Sequence, residues 1–365
     1  MLRIHSRILM GLLFSVVALA FGTQEAHATT TYIVGTCKTG TTFTTIQAAL
    51  DASPSPTIVE VCPGTYNQQI KITKAVTLEG IVGSGSDQAI IAVPSGGLAI
   101  NATDDFGRSI GAQVLVQAVS GVDISNMVID GTGNNLSGSD LIAGIFYQNS
   151  AGTIDHVVTR NQFNDYNGYG MDLEGGSLHP SVTVENCSVH DFDSAGINVE
   201  TDSTSSELTV KIEGNLLAIS DSGVASAFFF DSGTTVTATD NYIKAGGGYG
   251  FTLNGAAGSV TGNTIVAGFI SLYVDGDGDI SFKSNKLLDP SEEAIYFLVA
   301  TNSTEIEDNT ITRGTIGIEF GCNSTNGKVH SNTIMDFTTG LDQLPSGTTS
   351  VNTYYDVGTE TTTCP

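Results

Sequence analysis

The stretch Gly170-Met171-Asp172-Leu173 is followed, 26 residues later, by the closely similar stretch Gly196-Ile197-Asn198-Val199. Further members of the series are Gly144-Ile145-Phe146-Tyr147, Gly223-Val224, Gly250-Phe251-Thr252-Leu253, Ser271-Leu272-Tyr273-Val274, Ala294-Ile295-Tyr296-Phe297, Gly317-Ile318-Glu319-Phe320 and Gly340-Leu341. Successive members lie 21 to 27 residues apart. This period is typical of stacked solenoid coils and differs from that of a globular domain.

A second phrase keeps step with the first: an apolar residue, two spacers, asparagine, one spacer and another apolar residue. Its asparagines are Asn215, Asn241, Asn263, Asn285, Asn309 and Asn332. Each interval therefore holds at least two short alternating strands, and no helical pattern interrupts them. Strands that return after every coil pair in parallel, and such crossovers are almost always right-handed. The sequence predicts an all-β protein, a right-handed parallel β-helix with inward columns of Ile, Val, Leu and Phe. Asparagine suits its turns because it tolerates left-handed backbone and its stacked amides can pair.

The repeat over residues 58–345 resembles that of pectin-lyase-like proteins. The segment Phe43–Ala52, followed by Ile58–Tyr66 and Val76–Gly80, is similar to the opening of many members. In those proteins a short amphipathic helix caps the first coil, so the resemblance implies a capping helix near residues 44–53. The family includes lyases, hydrolases, esterases, epimerases and proteins without known chemistry, so the fold alone selects no activity.

The amino terminus has the composition of a secretory signal. Arg3 and Arg7 precede an apolar run from Ile8 to Phe21, and a small-residue ending follows at Ala26-His27-Ala28. We therefore expect a signal peptide at 1–28, a cap at 29–57, the β-helix at 58–345 and a carboxyl-terminal cap or tail at 346–365. The predicted protein is a secreted monomer, extracellular or on the cell surface, with the periplasm as an open alternative. No later segment is long and apolar enough to span a membrane.

Four of the five cysteines lie near the ends of the chain. Export permits disulfides, and bridges help most at the frayed ends of a solenoid. The sequence predicts the pairs Cys37–Cys62 and Cys322–Cys364. Cys187 lies within a coil phrase and is expected to be a buried, unpaired thiol.

The chain has 13 basic and 38 acidic side chains, for a formal charge of −25. Such a surface repels nucleic acid and anionic membranes, and it repels a polyuronate unless a cation bridges the two. No cofactor is predicted, with calcium left open. The turn Asp275–Asp279 resembles the start of a calcium loop, but Ile280 stands where the glycine of an EF-hand belongs. An acidic turn is the favoured interpretation, and weak calcium binding is the alternative.

The site prediction follows from the alternation of side chains along a strand. The second and fourth residues after each glycine are expected to face solvent and to align in columns over coils 144–202. Glu174 and Glu200 then stack at about 4.8 Å, and Asp172 lies diagonally about 8 Å from Glu200. Close carboxylates raise one pKa, and the diagonal spacing suits inverting glycoside hydrolysis.

The predicted function is the binding or cleavage of extracellular polysaccharide in an acidic groove. The candidate catalytic residues are Asp172, Glu174, Glu200 and Asp191. The candidate substrate-binding residues are Asn198, His190, Arg160 and Tyr169. Metal ligands are left unassigned. Polygalacturonase and pectin methylesterase motifs are absent, so hydrolase, lyase and binder stay open. A solvated acidic face on a non-catalytic structural or surface protein is the alternative.

Overall fold

The computed structural model describes residues 29–83, 88–201, 207–219, 225–266, 268–276, 278–299, 304–322 and 327–364. The predicted signal peptide, the phrase Gly223-Val224 and Asp277 of the acidic turn lie outside these residues. Within them, no helix is long and apolar enough to cross a membrane.

The chain winds into a parallel β-helix with three strands in each complete coil, and these strands stack into three sheets. The first sheet contains Thr31–Val34, Ile58–Val61, Val76–Gly80, Ser120–Ser125, Ala151–Asp155, Ser181–Glu185, Leu208–Glu213, Thr234–Thr239, Ala257–Thr261, Ile280–Lys283 and Glu305–Glu307. The second contains Gly64–Asn67, Ala89–Ala92, Met127–Asp130, Val158–Gln162, Ser188–Phe192, Leu216–Ala218, Tyr242–Lys244, Thr264–Val266 and Lys286–Leu288. The third contains Ile70–Ile72, Ser109–Gln117, Leu141–Gln148, Gly168–Glu174, Ala195–Glu200, Ser226–Asp231, Tyr249–Asn254, Ile270–Asp275 and Glu293–Phe297.

Two long strands near the carboxyl end run across more than one sheet. Thr310–Phe320 and Lys328–Leu344 pair with each other, and Thr349–Tyr355 and Thr359–Thr363 add to the second of them. The predicted tail from residue 346 therefore contributes strands to the sheets.

The inward side chains form one continuous apolar core that extends from Tyr32 to Leu341. In the third sheet, Met171 and Leu173 lie in register with Ile197 and Val199, and all four are fully buried. Burying one such side chain contributes about 1.5–3 kcal/mol, so the repeated columns account for much of the stability of the solenoid.

The asparagines of the second phrase form a buried ladder beneath one turn of each coil. Asn263 Nδ2 donates to Asn285 Oδ1 at 3.0 Å and to the carbonyl of Ala238 at 3.0 Å. Its own Oδ1 accepts from the backbone N–H of Asn241 at 2.9 Å. The expected pairing of stacked amides is therefore confirmed.

The expected left-handed backbone falls one residue before these asparagines. Gly214, Asp240 and Ser284 have φ of 65°, 54° and 56°. The preceding residue makes the turn, and the asparagine side chain can then point inward to satisfy backbone groups of neighbouring coils.

The predicted capping helix and the two predicted end disulfides are present. Helix Ile46–Leu50 starts at Thr45, whose side chain accepts from the N–H of Ala48, and it buries Ile46, Ala49 and Leu50 against the first coils. The predicted disulfides Cys37–Cys62 and Cys322–Cys364 are present. Cys187 is buried and unpaired, also as predicted.

One irregular segment departs from the coil pattern. Ala102–Thr103 pairs antiparallel with the start of strand Ser109–Gln117, which makes a small hairpin at residues 102–110. Among the described strands, this is the one pair that runs antiparallel. The hairpin folds over the outer surface of the third sheet.

Replacement of the central ladder asparagine tests the structural role of the stacked amides. Asn263→Ala leaves several buried backbone and amide groups of its neighbours unpaired, which costs about 3 kcal/mol and should lower Tm by about 5 °C. Calorimetry measures this change. The control Asn254→Ala removes an exposed asparagine and should change stability by less than about 0.5 kcal/mol. Equal Tm values for the two variants would contradict the ladder account.

Candidate functional site

The site is built on adjacent strands of the third sheet. Strand Gly168–Glu174 pairs in parallel with strand Ala195–Glu200, with Asp172 opposite Asn198 and Glu174 opposite Glu200. The predicted stacking of Glu174 on Glu200 is therefore confirmed. Because alternate residues share a face, both acidic residues of the first strand point away from the core.

The expected exposure of these side chains is wrong. Asp172, Glu174 and Glu200 are only 0%, 1% and 4% exposed. The hairpin 102–110 covers them: the N–H of Asp105 donates to Glu174 Oε1 at 3.2 Å, and Gln148 Nε2 links Glu174 to the carbonyl of Thr103. The outward face of the third sheet is thus buried at this point, and the side chains buried there are polar.

Arg108 links the hairpin to the third sheet through an ion pair with Glu200. Its Nη2 donates to Glu200 Oε1 at 2.8 Å, and its Nε donates to Asp104 on the same hairpin. Its Nη1 lies 3.4 Å from the hydroxyl of Tyr169. Asp104 also accepts from the backbone N–H groups of Phe106 and Arg108, so the hairpin tip is tightly held.

Burial and mutual repulsion act together on the covered carboxyl groups. Burial, followed by the charge of Glu200, raises the pKa of Asp172 well above its ordinary value, against the hydrogen bond from Asn198. Burial, followed by the charge of Asp172, also raises the pKa of Glu174. Burial raises the pKa of Glu200 as well, although Arg108 opposes this change.

The groups around these carboxyls respond to the same field. Burial lowers the pKa of Arg108, but the charges of Glu200, Tyr169 and Asp104 outweigh burial and leave it raised overall. Burial and the charge of Asp172 raise the pKa of Tyr169 to about 12. Arg108 is therefore a fixed cation, and Tyr169 stays a neutral hydrogen-bond donor at physiological pH.

An open cleft of about 700 Å³ lies beside the hairpin and continues along the third sheet. Its lining residues come from the hairpin and from successive coils: Phe106, Arg108, Tyr169, Ser194, Ala195, Asn198, Glu200, Ser226, Phe229, Asp231, Tyr249, Thr252 and Tyr273. Of the three covered residues Asp172, Glu174 and Glu200, Glu200 is the one that borders this cleft. Asp172 and Glu174 lie behind it, beneath the hairpin.

Three of the predicted site residues belong elsewhere. His190 and Asp191 lie in a strand of the second sheet, where His190 Nδ1 is 2.6 Å from Asp191 Oδ2. Arg160, in the neighbouring strand of that sheet, forms an ion pair with Asp130 at 2.8 Å. None of the three lines the cleft. Of the predicted catalytic residues, Asp172, Glu174 and Glu200 therefore lie together, and Asp191 lies apart from them.

The ion pair between Arg160 and Asp130 stabilises the local structure. Burial raises the pKa of Asp130, but hydrogen bonds from Thr132, Asn161 and Arg160 outweigh burial and lower it to about 2. A carboxylate held by so many local donors stabilises its own turn.

Arg108, Asp104 and Asp231 are among the site residues that the sequence analysis missed. Arg108 is 92 positions from Glu200, and no repeat relates the two. One available signal was the break in the repeat between Ala92 and Ser109, where polar and charged residues replace a coil phrase. For Asp231 the signal was the column itself, since it follows Phe230, the partner of Val199, and so stands beside Glu200.

Two groups of side chains have the spacing of metal ligands among the described residues. In each, the ligand atoms lie within 4.8 Å of one another: Asp104, Glu174 and Glu200 are buried, whereas Glu305, Glu307 and His330 are half-buried. The second group is already paired with Lys283 and Lys328.

Comparison with known proteins supports the fold class that this architecture defines. The sequence matches a family model described as "Right handed beta helix region" over residues 112–287 and 222–357. The chain therefore belongs to the right-handed parallel β-helix family, and the pectin-lyase-like resemblance is confirmed. No curated protein matches the sequence.

Several solved structures share this fold at low sequence identity. The A-module of mannuronan C-5 epimerase AlgE6 from Azotobacter vinelandii is 16% identical, with a TM-score of 0.62 over 88% of this chain and 91% of that one. The AlgE4 A-module from the same organism is also 16% identical, with a TM-score of 0.55 over 87% and 92%. The GH136 lacto-N-biosidase from Eubacterium ramulus is 10% identical, with a TM-score of 0.51 over 91% and 68%.

Truncation of Arg108 tests whether the hairpin is held by its guanidinium. Arg108→Ala leaves Asp104 and Glu200 without their shared cation, so amide hydrogen exchange in residues 102–110 should accelerate about tenfold or more. Hydrogen exchange with mass spectrometry measures this rate. Arg313→Ala removes an exposed pair with Asp289 and should leave the same peptides unchanged. Unaltered exchange in Arg108→Ala would show that other contacts hold the hairpin.

Proposed function

We propose that this protein binds a polysaccharide strand in the cleft beside the hairpin 102–110. The observation that carries the proposal is the combination of aromatic and hydrogen-bonding side chains along one open cleft. Tyr249, Tyr273 and Phe229 offer apolar ring surface, while Asn198 and Asp231 offer hydrogen-bonding groups. Ligand sites combine apolar walls with a few placed polar groups in this way.

The aromatic residues form a row that follows the axis of the solenoid. The ring centroids of Tyr249 and Tyr273 are 5.8 Å apart, and those of Tyr273 and Tyr296 are 5.7 Å apart. These residues lie on successive coils, which repeat at about 4.8 Å. The row therefore offers contacts at intervals close to the length of one sugar unit, as an extended glycan requires.

The charges at the cleft favour a neutral polysaccharide. Arg108 is the basic side chain of the lining, and its guanidinium already pairs with Glu200 and Asp104. Glu200 and Asp231 add negative charge to the cleft of a chain whose formal charge is −25. Carboxylates accept hydrogen bonds from sugar hydroxyls, but they repel the carboxylates of a polyuronate.

The structural neighbours share the fold of this chain, and the proposal depends on the cleft. The epimerase modules are named for mannuronan, an acidic polysaccharide, whereas the cleft of this chain favours a neutral one. A shared fold hosts many activities, so the argument for this chain rests on its own residues. The catalytic roles of Asp172, Glu174, Glu200 and Asp191 stay predictions, and of these four only Glu200 borders the cleft.

Binding measurements with matched tyrosine variants test the proposal. Affinity electrophoresis of the purified protein in gels containing neutral or acidic polysaccharides should find retardation by a neutral one. Tyr249→Ala should weaken that binding about tenfold, because it removes a stacking surface from the middle of the cleft. Assays for reducing ends in the same mixtures show whether the bound chain is also cleaved.

Tyr242→Ala is the control, because Tyr242 is 47% exposed but lies in the second sheet, outside the cleft. This variant should bind like the unmodified protein. Equal losses in the two variants, or no retardation by any polysaccharide, would contradict the proposal and favour a structural solenoid.

A further inference from the structure

The covered carboxyl groups outnumber the basic side chains that could balance their charge. Asp104 of the hairpin 102–110 and Asp172, Glu174 and Glu200 beneath it form one group, and each is at most 5% exposed. Among the described residues, Arg108 is the basic side chain that pairs with them. If all four were ionised, one guanidinium would leave an excess of three negative charges, which is costly at a site with little water.

A buried oxygen of Asp172 points independently to a missing partner. Asp172 Oδ1 accepts from Asn198 Nδ2 at 2.8 Å, but Oδ2 is buried without a hydrogen-bond partner among the described residues. A cation satisfies a carboxylate oxygen without needing an acceptor.

The spacing of the carboxylates fits a single ion. One oxygen from each of Asp104, Glu174 and Glu200 lies within 4.8 Å of the others. Two ligands on opposite sides of a calcium ion, each about 2.4 Å from it, are about 4.8 Å apart. One ion can therefore reach all three oxygens without a large movement of the backbone.

We propose that Asp104, Glu174 and Glu200 bind one calcium ion beneath the hairpin. Asp172 is outside this set of three ligands, but its charge lies in the same buried group and would add to the attraction for the ion. Calcium takes six to eight oxygen ligands in flexible geometry, so bidentate carboxylates or water complete the shell. The cluster contains oxygen donors without histidine or cysteine, which suits calcium and disfavours zinc or copper.

The ion would join three parts of the chain that are distant in sequence. Asp104 belongs to the hairpin, whereas Glu174 and Glu200 belong to successive coils of the third sheet. Bound calcium would thus hold the hairpin against the sheet together with Arg108. This site is separate from the acidic turn Asp275–Asp279.

Titration calorimetry of the purified, calcium-depleted protein with calcium chloride tests the proposal. We expect a binding event of one ion per chain, with a Kd below about 1 mM. Glu174→Gln should weaken this event at least tenfold, because it removes a charged ligand. Asp172→Asn retains the oxygen that faces Asn198 and should also weaken it. Circular dichroism establishes that each variant is folded.

Two controls separate this site from other acidic groups. Glu305→Gln alters the half-buried cluster with His330, and Asp279→Asn alters the acidic turn, so both should retain the binding event. The proposal is overturned if the protein binds no calcium up to about 10 mM, a range that covers weak extracellular sites. It is equally overturned if Glu174→Gln and Asp172→Asn bind as tightly as the unmodified protein.

Discussion

The register between successive coils is the constraint on which the rest of this structure depends. Each strand hydrogen-bonds in parallel to the equivalent strand of the next coil, so residues one repeat apart stand one above the other. The inward side chains therefore form a continuous core, and the asparagines form a ladder of hydrogen bonds. The same register places Glu174 beside Glu200 and Asp172 beside Asn198 on the outer face. A slip of one residue would turn Asp172 and Glu174 toward the apolar core.

The repeat allowed the fold to be predicted from the sequence with few errors. Alternation within each phrase gave the inward residues, and the placement of Cys37, Cys62, Cys322 and Cys364 at the ends gave the disulfides. These features are local or periodic, so they can be seen in a single sequence. The stacking of Glu174 on Glu200 was predictable for the same reason.

The environment of the site depends on contacts between the hairpin and the coils, and the sequence repeat does not predict such contacts. The hairpin 102–110 reaches Glu174 and Glu200 across 69 and 92 positions. Alternation alone predicts that these carboxyls are exposed. In the structure, the hairpin buries them and brings Arg108 to them. His190 and Asp191 were grouped with the site because they are close to Glu200 in sequence. The corner of the coil between strands Ser188–Phe192 and Ala195–Glu200 places them on another sheet.

Burial changes what the acidic cluster can do. Exposed carboxylates on adjacent strands would bind water and counter-ions freely, and they would be available to a substrate. Covered carboxylates instead need a partner of opposite charge or a proton, and only Glu200 still reaches the cleft. The acidic residues therefore divide into a group covered by the hairpin and a pair, Glu200 and Asp231, that lines the cleft. Tyr169 and Arg108 lie at the boundary between the two.

A crystal structure of the purified protein soaked with a terbium salt, analysed by anomalous scattering, tests the central claim most directly. The account predicts hairpin 102–110 folded over the third sheet, with an anomalous peak among Asp104, Glu174 and Glu200. A structure in which the hairpin stands away from the sheet and the carboxylates are open to solvent would contradict it. So would a closed hairpin with the terbium peaks confined to the surface.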